Sequence, residues 1–241
     1  CIHYFRDSNE RERNLRACAD WLRRNDIKIL VLCDGHKPDF LSADELYFDN
    51  TGKYRRDGII HRTKALNFLL RAATTKYAII QDTDAIIPSE QIKQAVDLLE
   101  SGIDFVWPYD GTFWRMMERP TADFARDINI WALAAASGER RKSIYSVGGS
   151  IFVNRDRYLE CGGENERFIG YAPEDSERWD RLTKLGTVRR VDGPLYHLFH
   201  EMLGQSRPEE NPFYLQARDE LKNVKALDPF NLKEYVRTWP K

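Results

Sequence analysis

A nearly uninterrupted apolar run, Tyr77-Ala78-Ile79-Ile80, ends abruptly in Gln81-Asp82-Thr83-Asp84, and a second run closed by a proline, Ala85-Ile86-Ile87-Pro88, follows it. A strand this apolar is buried on both faces, the habit of a parallel sheet covered by helices, and its end is where open α/β sheets bind ligands. Asp82 and Asp84 stand at i and i+2, so in an extended segment they point the same way and both reach one hard divalent cation and the phosphates it carries. A lone Asp-x-Asp is more often a solvated turn that caps the next helix. The surrounding chain decides between these readings.

Elements of alternating type surround that strand. Ile2-His3-Tyr4-Phe5 reads as a first strand, Arg6-Asp7-Ser8 as a loop and cap, and Asn9 to Arg24 as an amphipathic helix with Leu15, Cys18, Ala19 and Leu22 as its buried stripe. Ile27 to Cys33 is a second buried strand, and strand, helix, strand in this order calls for a right-handed parallel crossover. Leu46-Tyr47-Phe48 is a third short strand, and Gly52 to Gly58 is a polar, mobile stretch. Arg62 to Ala73 is helical by period and leads directly into the Asp82 strand, which is therefore central. Glu90 to Leu99 is another helix and Phe105 to Tyr109 another strand. Beyond Thr112 the pattern loosens, with Ala122 to Ala136 helical. The aromatic stretch Thr112-Phe113-Trp114-Arg115 suits either a substrate groove or the core.

Val147 to Val153 reads as a strand containing Gly148-Gly149, and glycine inside a strand marks either a ligand's close approach or a packing bulge. The densest stretch runs from Gly162 to Asp175. Its Pro173 suits the first turn of a helix, and Glu174-Asp175 lie at the positive end of that helix's dipole. Val188 to Val191 is a late strand. His197 and His200, two of five histidines, are spaced to reach one side of a turn. A polar segment from Arg207 to Asn223 ends in a helix.

Composition narrows the class. With 42% hydrophobic and 12% aromatic residues the 241-residue chain is ordered and long enough for one large α/β domain. Lys plus Arg (37) balance Asp plus Glu (38), which leaves no electrostatic case for a nucleic-acid partner. The four cysteines fall in no CxxC or zinc spacing, so the expected setting is reducing and cytoplasmic, free or peripheral to a membrane. No stretch has the length of a transmembrane helix. A further domain or anchor beyond this chain stays open.

In order, these motifs resemble the GT-A nucleotide-sugar glycosyltransferases, in particular the branch of the β-1,4-galactosyltransferases and chondroitin-polymerase-like enzymes. The resemblance rests on Phe5-Arg6-Asp7, His61 to Asn67, Asp82-Thr83-Asp84, Gly148-Gly149, Gly162 to Glu166, Gly170 to Asp175 and His197 to His200, and so covers most of the chain. It implies a single Rossmann-like α/β domain, with a mixed, mostly parallel central sheet flanked by helices. Residues 1–110 would form a nucleotide-binding half and residues 111–241 an acceptor-binding and catalytic half.

The resemblance also implies a set of roles. Asp84 and His200, with His197, would hold Mn²⁺ or Mg²⁺, and Asp82 would contact the donor's ribose or sugar. Phe5, Arg6, Arg62 and Gly149 would lie near the UDP-sugar. Asp175 would be the base that deprotonates the acceptor hydroxyl, and Glu174 would orient the acceptor. Tyr171, where the family's usual residue is Trp, would be its aromatic platform, with Trp114 flanking the groove. The implied activity is metal-dependent, inverting transfer of a hexose or N-acetylhexosamine from a UDP-sugar to a glycan hydroxyl. The alternatives are a retaining transferase like the polypeptide N-acetylgalactosaminyltransferases and a catalytically silent carbohydrate-binding module.

Overall fold

The structure, a computed structural model, describes residues 1–6, 8–136, 140–201 and 210–239. Asp7 of the Phe5-Arg6-Asp7 motif and residues 207–209, at the head of the polar C-terminal segment, lie outside these. Strand β1 (Ile2–Phe5), helix α1 (Asn9–Arg24) and strand β2 (Val31–Asp34) form the opening crossover, followed by β3 (Leu46–Asp49) and a hairpin of β4 (Arg55–Arg56) and β5 (Ile59–Ile60). Helix α2 (Arg62–Ala72) leads into β6 (Tyr77–Gln81), β7 (Ala85–Ile86), α3 (Ser89–Glu100) and β8 (Phe105–Trp107). Then come β9 (Phe113–Met116), α4 (Glu118–Asp127), α5 (Trp131–Ala134), β10 (Arg140–Ser143), β11 (Ser150–Asn154) and α6 (Arg155–Glu160). Helix α7 (Glu174–Leu185), β12 (Val188–Arg190), β13 (Leu195–His197), α8 (Tyr214–Ala226) and α9 (Pro229–Arg237) complete the order.

Helix α1 forms as its spacing predicts: the Ser8 hydroxyl accepts the Arg11 amide at 3.2 Å, and Leu15, Cys18, Ala19 and Leu22 are buried. Strands β1, β2 and β3 run parallel. The Cys1 backbone carries this sheet onto the next one. Its amino group donates to the Ile79 carbonyl at 2.7 Å and its carbonyl accepts the Gln81 amide at 3.1 Å, the bonding of a parallel pair centred on Ile80. Laid edge to edge by this one bridge, the three-stranded sheet β3-β2-β1 and the four-stranded sheet β6-β11-β8-β12 give an order of seven strands in which β11 alone runs against the rest. Strand β6 is the fourth of the seven. The main core packs α2 and α3, through Leu66, Leu70, Ile92, Ala95 and Leu99, against Ile80, Phe105, Trp107 and Phe152 of the sheet. A second sheet, β10-β9-β13-β7, branches off just beyond the end of β6. No helix among the described residues is long and apolar enough to cross a membrane.

Four expectations change. The second strand begins at Val31 rather than Ile27, because the Ile27 amide is held by the Leu22 carbonyl at the end of α1 (3.1 Å). The stretch from Gly52 to Gly58 is not merely a loop. Asp57 and Gly58, at φ 51° and 80°, make the two-residue primed turn that joins β4 to β5. The helix expected over Ala122–Ala136 is broken at Ile128, which adopts φ 48° and ends α4. Gly148 and Gly149 precede β11 instead of lying inside it. With φ at 87°, Gly149 cannot continue a strand, and a Cβ there would lie 2.8 Å from Leu195 Cδ1.

Candidate active site

The bend after β6 is built by its own residues. Gln81, buried, donates its side-chain amide to the Ala85 carbonyl and so closes the turn Asp82-Thr83-Asp84. The Asp82 amide bonds to the Gly149 carbonyl at 2.9 Å and the Asp84 carbonyl accepts the Leu198 amide at 2.8 Å. Because β13 pairs antiparallel with β7, with His197 opposite Ala85, the late histidines are delivered beside Asp84. His197 Nε2 lies 3.4 Å from Asp84 Oδ1, and His200 Nε2 lies 3.2 Å from Oδ2. One ligand atom from each of the three residues falls within 4.8 Å of the others. One carboxylate and two imidazoles are a donor set that Mn²⁺ accepts. Burial works to raise the Asp84 carboxyl, but His197, His200 and Arg11 outweigh it and hold the group well below the usual carboxylate range.

A second group of charges faces this cluster across the cavity. Arg62, at the first position of α2, pairs with Asp82 and lies 3.7 Å from Glu174 at the start of α7. Asp175 is held from behind: Arg178, one turn along α7, binds it at 2.5 Å, binds Glu164 at 2.7 Å and donates to the Tyr158 hydroxyl at 3.1 Å. The Asp175 carboxylate rests on Gly148, where any Cβ would collide with Oδ2. Burial and the neighbouring Asp175 push the Glu174 carboxyl up, against the pull of Arg62. Burial also pushes Asp82 up, opposed by Arg62 and reinforced by Asp175 and Asp84.

The loop before α7 owes its position to α2. Asn67 brackets Glu164, accepting its amide at 2.8 Å and donating to its carbonyl at 2.9 Å, while the Thr63 hydroxyl donates to the Phe168 carbonyl at 2.9 Å. His61 Nε2 lies 2.9 Å from the Glu166 carbonyl, and the Gly170 amide bonds to the Ile60 carbonyl at 2.9 Å. Asn211 donates to the carbonyls of Ile169 and Tyr171 at 2.7 and 2.8 Å. The segment from His61 to Asn67 therefore does structural work except at Arg62.

A cavity of about 700 Å³ lies between these groups and is lined by Phe5, Arg62, Asp82, Asp84, Tyr171, Glu174, Asp175, His197 and His200. Gly149 lines an adjoining cavity of about 430 Å³ that shares Asp82, Tyr171, Asp175 and His197 with the first. Two expected residues lie elsewhere. Arg6 is exposed and turned toward α1, pairing with Glu12 at 3.1 Å, because strand alternation gives the cavity side to Phe5. Trp114 packs on the core formed by α1 and α4, while Phe113 and Arg115, of opposite parity on β9, line both cavities. Arg11 and Arg178 are the cations that sequence reading passed over. The i, i+3 spacing of Arg178 from Asp175 is the one local signal that points to it.

No protein-family model matches this sequence, and no curated protein matches it either. Solved structures do resemble it. The crystal structure of a mycobacterial protein is similar with a TM-score of 0.54 at 15% identity, over 94% of this chain and 74% of that one. The catalytic domain of Drosophila β1,4-galactosyltransferase 7, in complex with xylobiose, is similar with a TM-score of 0.50 at 14% identity, over 99% of this chain and 78% of that one. Glucosyl-3-phosphoglycerate synthase from Mycobacterium tuberculosis, in complex with Mn²⁺, UDP and glucosyl-3-phosphoglycerate, gives a TM-score of 0.50 at 16% identity, over 100% of this chain and 81% of that one. At 14% to 16% identity the likeness is one of fold, and the fold of this chain is that of the GT-A glycosyltransferases, a single mixed α/β domain.

Proposed function

We propose that this chain is a metal-dependent, inverting glycosyltransferase that moves a hexose or N-acetylhexosamine from a UDP-sugar to a glycan hydroxyl. The observation that carries the reading is one cavity with Asp84, His197 and His200 on one wall and the Glu174-Asp175 pair on another. Displacement at an anomeric carbon needs a proton acceptor on the side of the attacking hydroxyl and charge neutralisation on the side of the leaving diphosphate. Two of the proteins similar in fold support it by what they bind: Mn²⁺ and UDP in the mycobacterial synthase, xylobiose in the Drosophila enzyme. Residues 1–110 then serve mainly the nucleotide and residues 111–241 the acceptor, although His197 and His200 reach back to the metal. The reading extends to a cytoplasmic setting, free or peripheral to a membrane, which the four free cysteines support.

Asp175 takes the proton of the acceptor hydroxyl as that oxygen bonds to the anomeric carbon. The bond from that carbon to the phosphate oxygen breaks, and its electron pair leaves with UDP. Asp84, His197 and His200 would hold Mn²⁺, which would supply Lewis-acid neutralisation of the diphosphate. Asp82 contacts the ribose or the sugar, Arg62 steadies Asp82, and Glu174 and Tyr171 orient the acceptor.

A donor screen for UDP release with Mn²⁺, with and without an acceptor panel, followed by NMR of the product's anomeric configuration, tests the reading. Inversion is expected; a product that retains the donor's configuration would refute the single-base mechanism. Asp84→Ala should abolish metal-dependent UDP binding by calorimetry, and unchanged binding would remove Asp84 from the metal site. Asp175→Asn should lower transfer by about two to four orders of magnitude with little change in UDP affinity. Near-full transfer in that variant would move the base elsewhere.

A further inference from the structure

The three groups that converge on the metal position are held by different means. Asp84 sits in the turn closed by Gln81, and His197 ends strand β13, where pairing with β7 and β9 fixes it. His200 belongs to no helix or strand. What holds it is the peptide just before it. The Phe199 amide donates to the Thr121 hydroxyl of α4 at 2.9 Å, and the Phe199 carbonyl accepts the Asn14 side-chain amide of α1 at 2.9 Å and the Arg13 guanidinium at 3.3 Å. Both backbone groups of Phe199 are thus taken by side chains from two helices, where a strand would use its neighbour's backbone. Arg13 also pairs with Glu118 at the start of α4 and so ties the two helices together beside this clamp.

Asn14 and Thr121 are fully buried. Neither is what a packed helix asks for at such a position. Asn has a weak helix propensity and an amide that must be paired once buried, and Thr brings a hydroxyl to a place where an aliphatic side chain would serve the core. Local rules broken in this way mark positions where function is gained in return. The buried face of α1 shows what is gained. Arg11, Asn14, Cys18 and Trp21, spaced i, i+3, i+7 and i+10, form one stripe that backs the site. Arg11 lies 3.7 Å from Asp84 Oδ2, Cys18 Sγ lies 3.7 Å from the carbonyl oxygens of both Asp82 and Ala85, and the Trp21 indole donates to the Ile87 carbonyl at 2.8 Å. One helix therefore touches both the bend that carries Asp84 and the peptide that carries His200, and it sets the separation between those two segments.

We propose that Asn14, Arg13 and Thr121 are positioning residues for the metal site: by gripping the Phe199 peptide from α1 and α4 they keep His200 within reach of an ion on Asp84. This rests on the metal assignment given above. The test titrates Mn²⁺ to millimolar concentration and reads the free ion by electron paramagnetic resonance, with the thermal midpoint of each metal-free protein measured alongside. Asn14→Leu and Thr121→Val should each lose about 10-fold in Mn²⁺ affinity, the effect of one hydrogen bond removed from behind a ligand. Thr121→Ser keeps the hydroxyl and should keep most of the affinity. Combined with His200→Ala, neither substitution should weaken binding further, because the ligand it positions is gone. A residue that only supports the core would lower the midpoint and leave the affinity of the folded protein as it was. Arg13→Met, at the half-buried edge of the clamp, carries the test should the buried variants not fold; it should lose about threefold, and nothing in the His200→Ala background. Parental Mn²⁺ affinity in the folded variants, an equal loss with and without His200, or full affinity in His200→Ala overturns the positioning role and leaves the transferase reading standing. Failure of the unsubstituted protein to bind Mn²⁺ would overturn both.

Discussion

Arg178 is where stability and the proposed catalysis meet, and replacing it separates them. Its side chain is 3% exposed and holds two acids, Glu164 at 2.7 Å, itself 2% exposed, and Asp175 at 2.5 Å. Arg178→Met keeps the length of the side chain and removes the charge, which strands the Glu164 carboxylate in the core with the Tyr158 hydroxyl as its remaining side-chain donor. Breaking a buried pair from one side costs about 3–5 kcal/mol, mostly from the uncompensated charge. In a chain of this size that corresponds to a fall in Tm on the order of 10 °C. Adding Glu164→Gln removes the stranded charge and leaves an acceptor for Tyr158, so the double variant should recover at least half of the loss in urea unfolding at constant slope. Transfer should not recover with it. Asp175 still lacks its anchor, and a small misplacement of a reacting group costs on the order of 100-fold. A single variant that loses less than about 1 kcal/mol would refute the claim of an uncompensated charge. A double variant that regains transfer together with stability would show that Arg178 does not position Asp175.

Two further outcomes follow from the same geometry. Gly148→Ala places a methyl group against Asp175 Oδ2, the movable end of a side chain, so transfer should drop at least about tenfold while the urea midpoint shifts little; full activity would mean that Asp175 is not seated where the structure puts it. Glu174 has its carboxyl raised in the folded protein, so the folded state keeps a proton that the unfolded chain has released, and metal-free stability should fall as pH rises above the group's ordinary value of 4.5. Glu174→Gln should flatten that slope in urea titrations run across pH, and an unchanged slope would remove Glu174 as its source.

Much of the framework was legible because it is written locally. The apolar runs at β1, β2 and β6 and the stripe of α1 announce burial whatever they pack against, and two acids at the end of the β6 run mark the mouth of the sheet. The Asp57-Gly58 turn was equally local and was passed over because its strands are only two residues long. Other features depend on partners far along the chain. Arg178 reads as one more charge on a polar helix until the loop held by Asn67 brings Glu164 to it, 14 residues away in sequence. Trp114 and Arg115 exchange roles on the choice of which face of β9 meets the cavity, and that choice is set by pairing with β10 and β13. His3 looks like a core residue of an apolar strand. The structure keeps it buried there, its ring nitrogens without a hydrogen-bond partner among the described residues.

Four carboxylates, Asp82, Asp84, Glu174 and Asp175, crowd one cavity, and the chain deals with the repulsion by giving them different partners from different elements. Asp84 has two imidazoles and Arg11, Asp82 has Arg62, and Asp175 has Arg178. Glu174 is left with Arg62 at 3.7 Å and with one oxygen that has no hydrogen-bond partner among the described residues. Burial and the adjacent Asp175 therefore favour keeping its proton, and a protonated carboxyl both donates and accepts a hydrogen bond. In the proposed reaction this lets Glu174 orient an acceptor hydroxyl without setting a second negative charge beside the base. A carboxyl kept neutral beside a base can take such an orienting role. Arg178 binds Asp175 at 2.5 Å, whereas Glu174 has Arg62 no nearer than 3.7 Å.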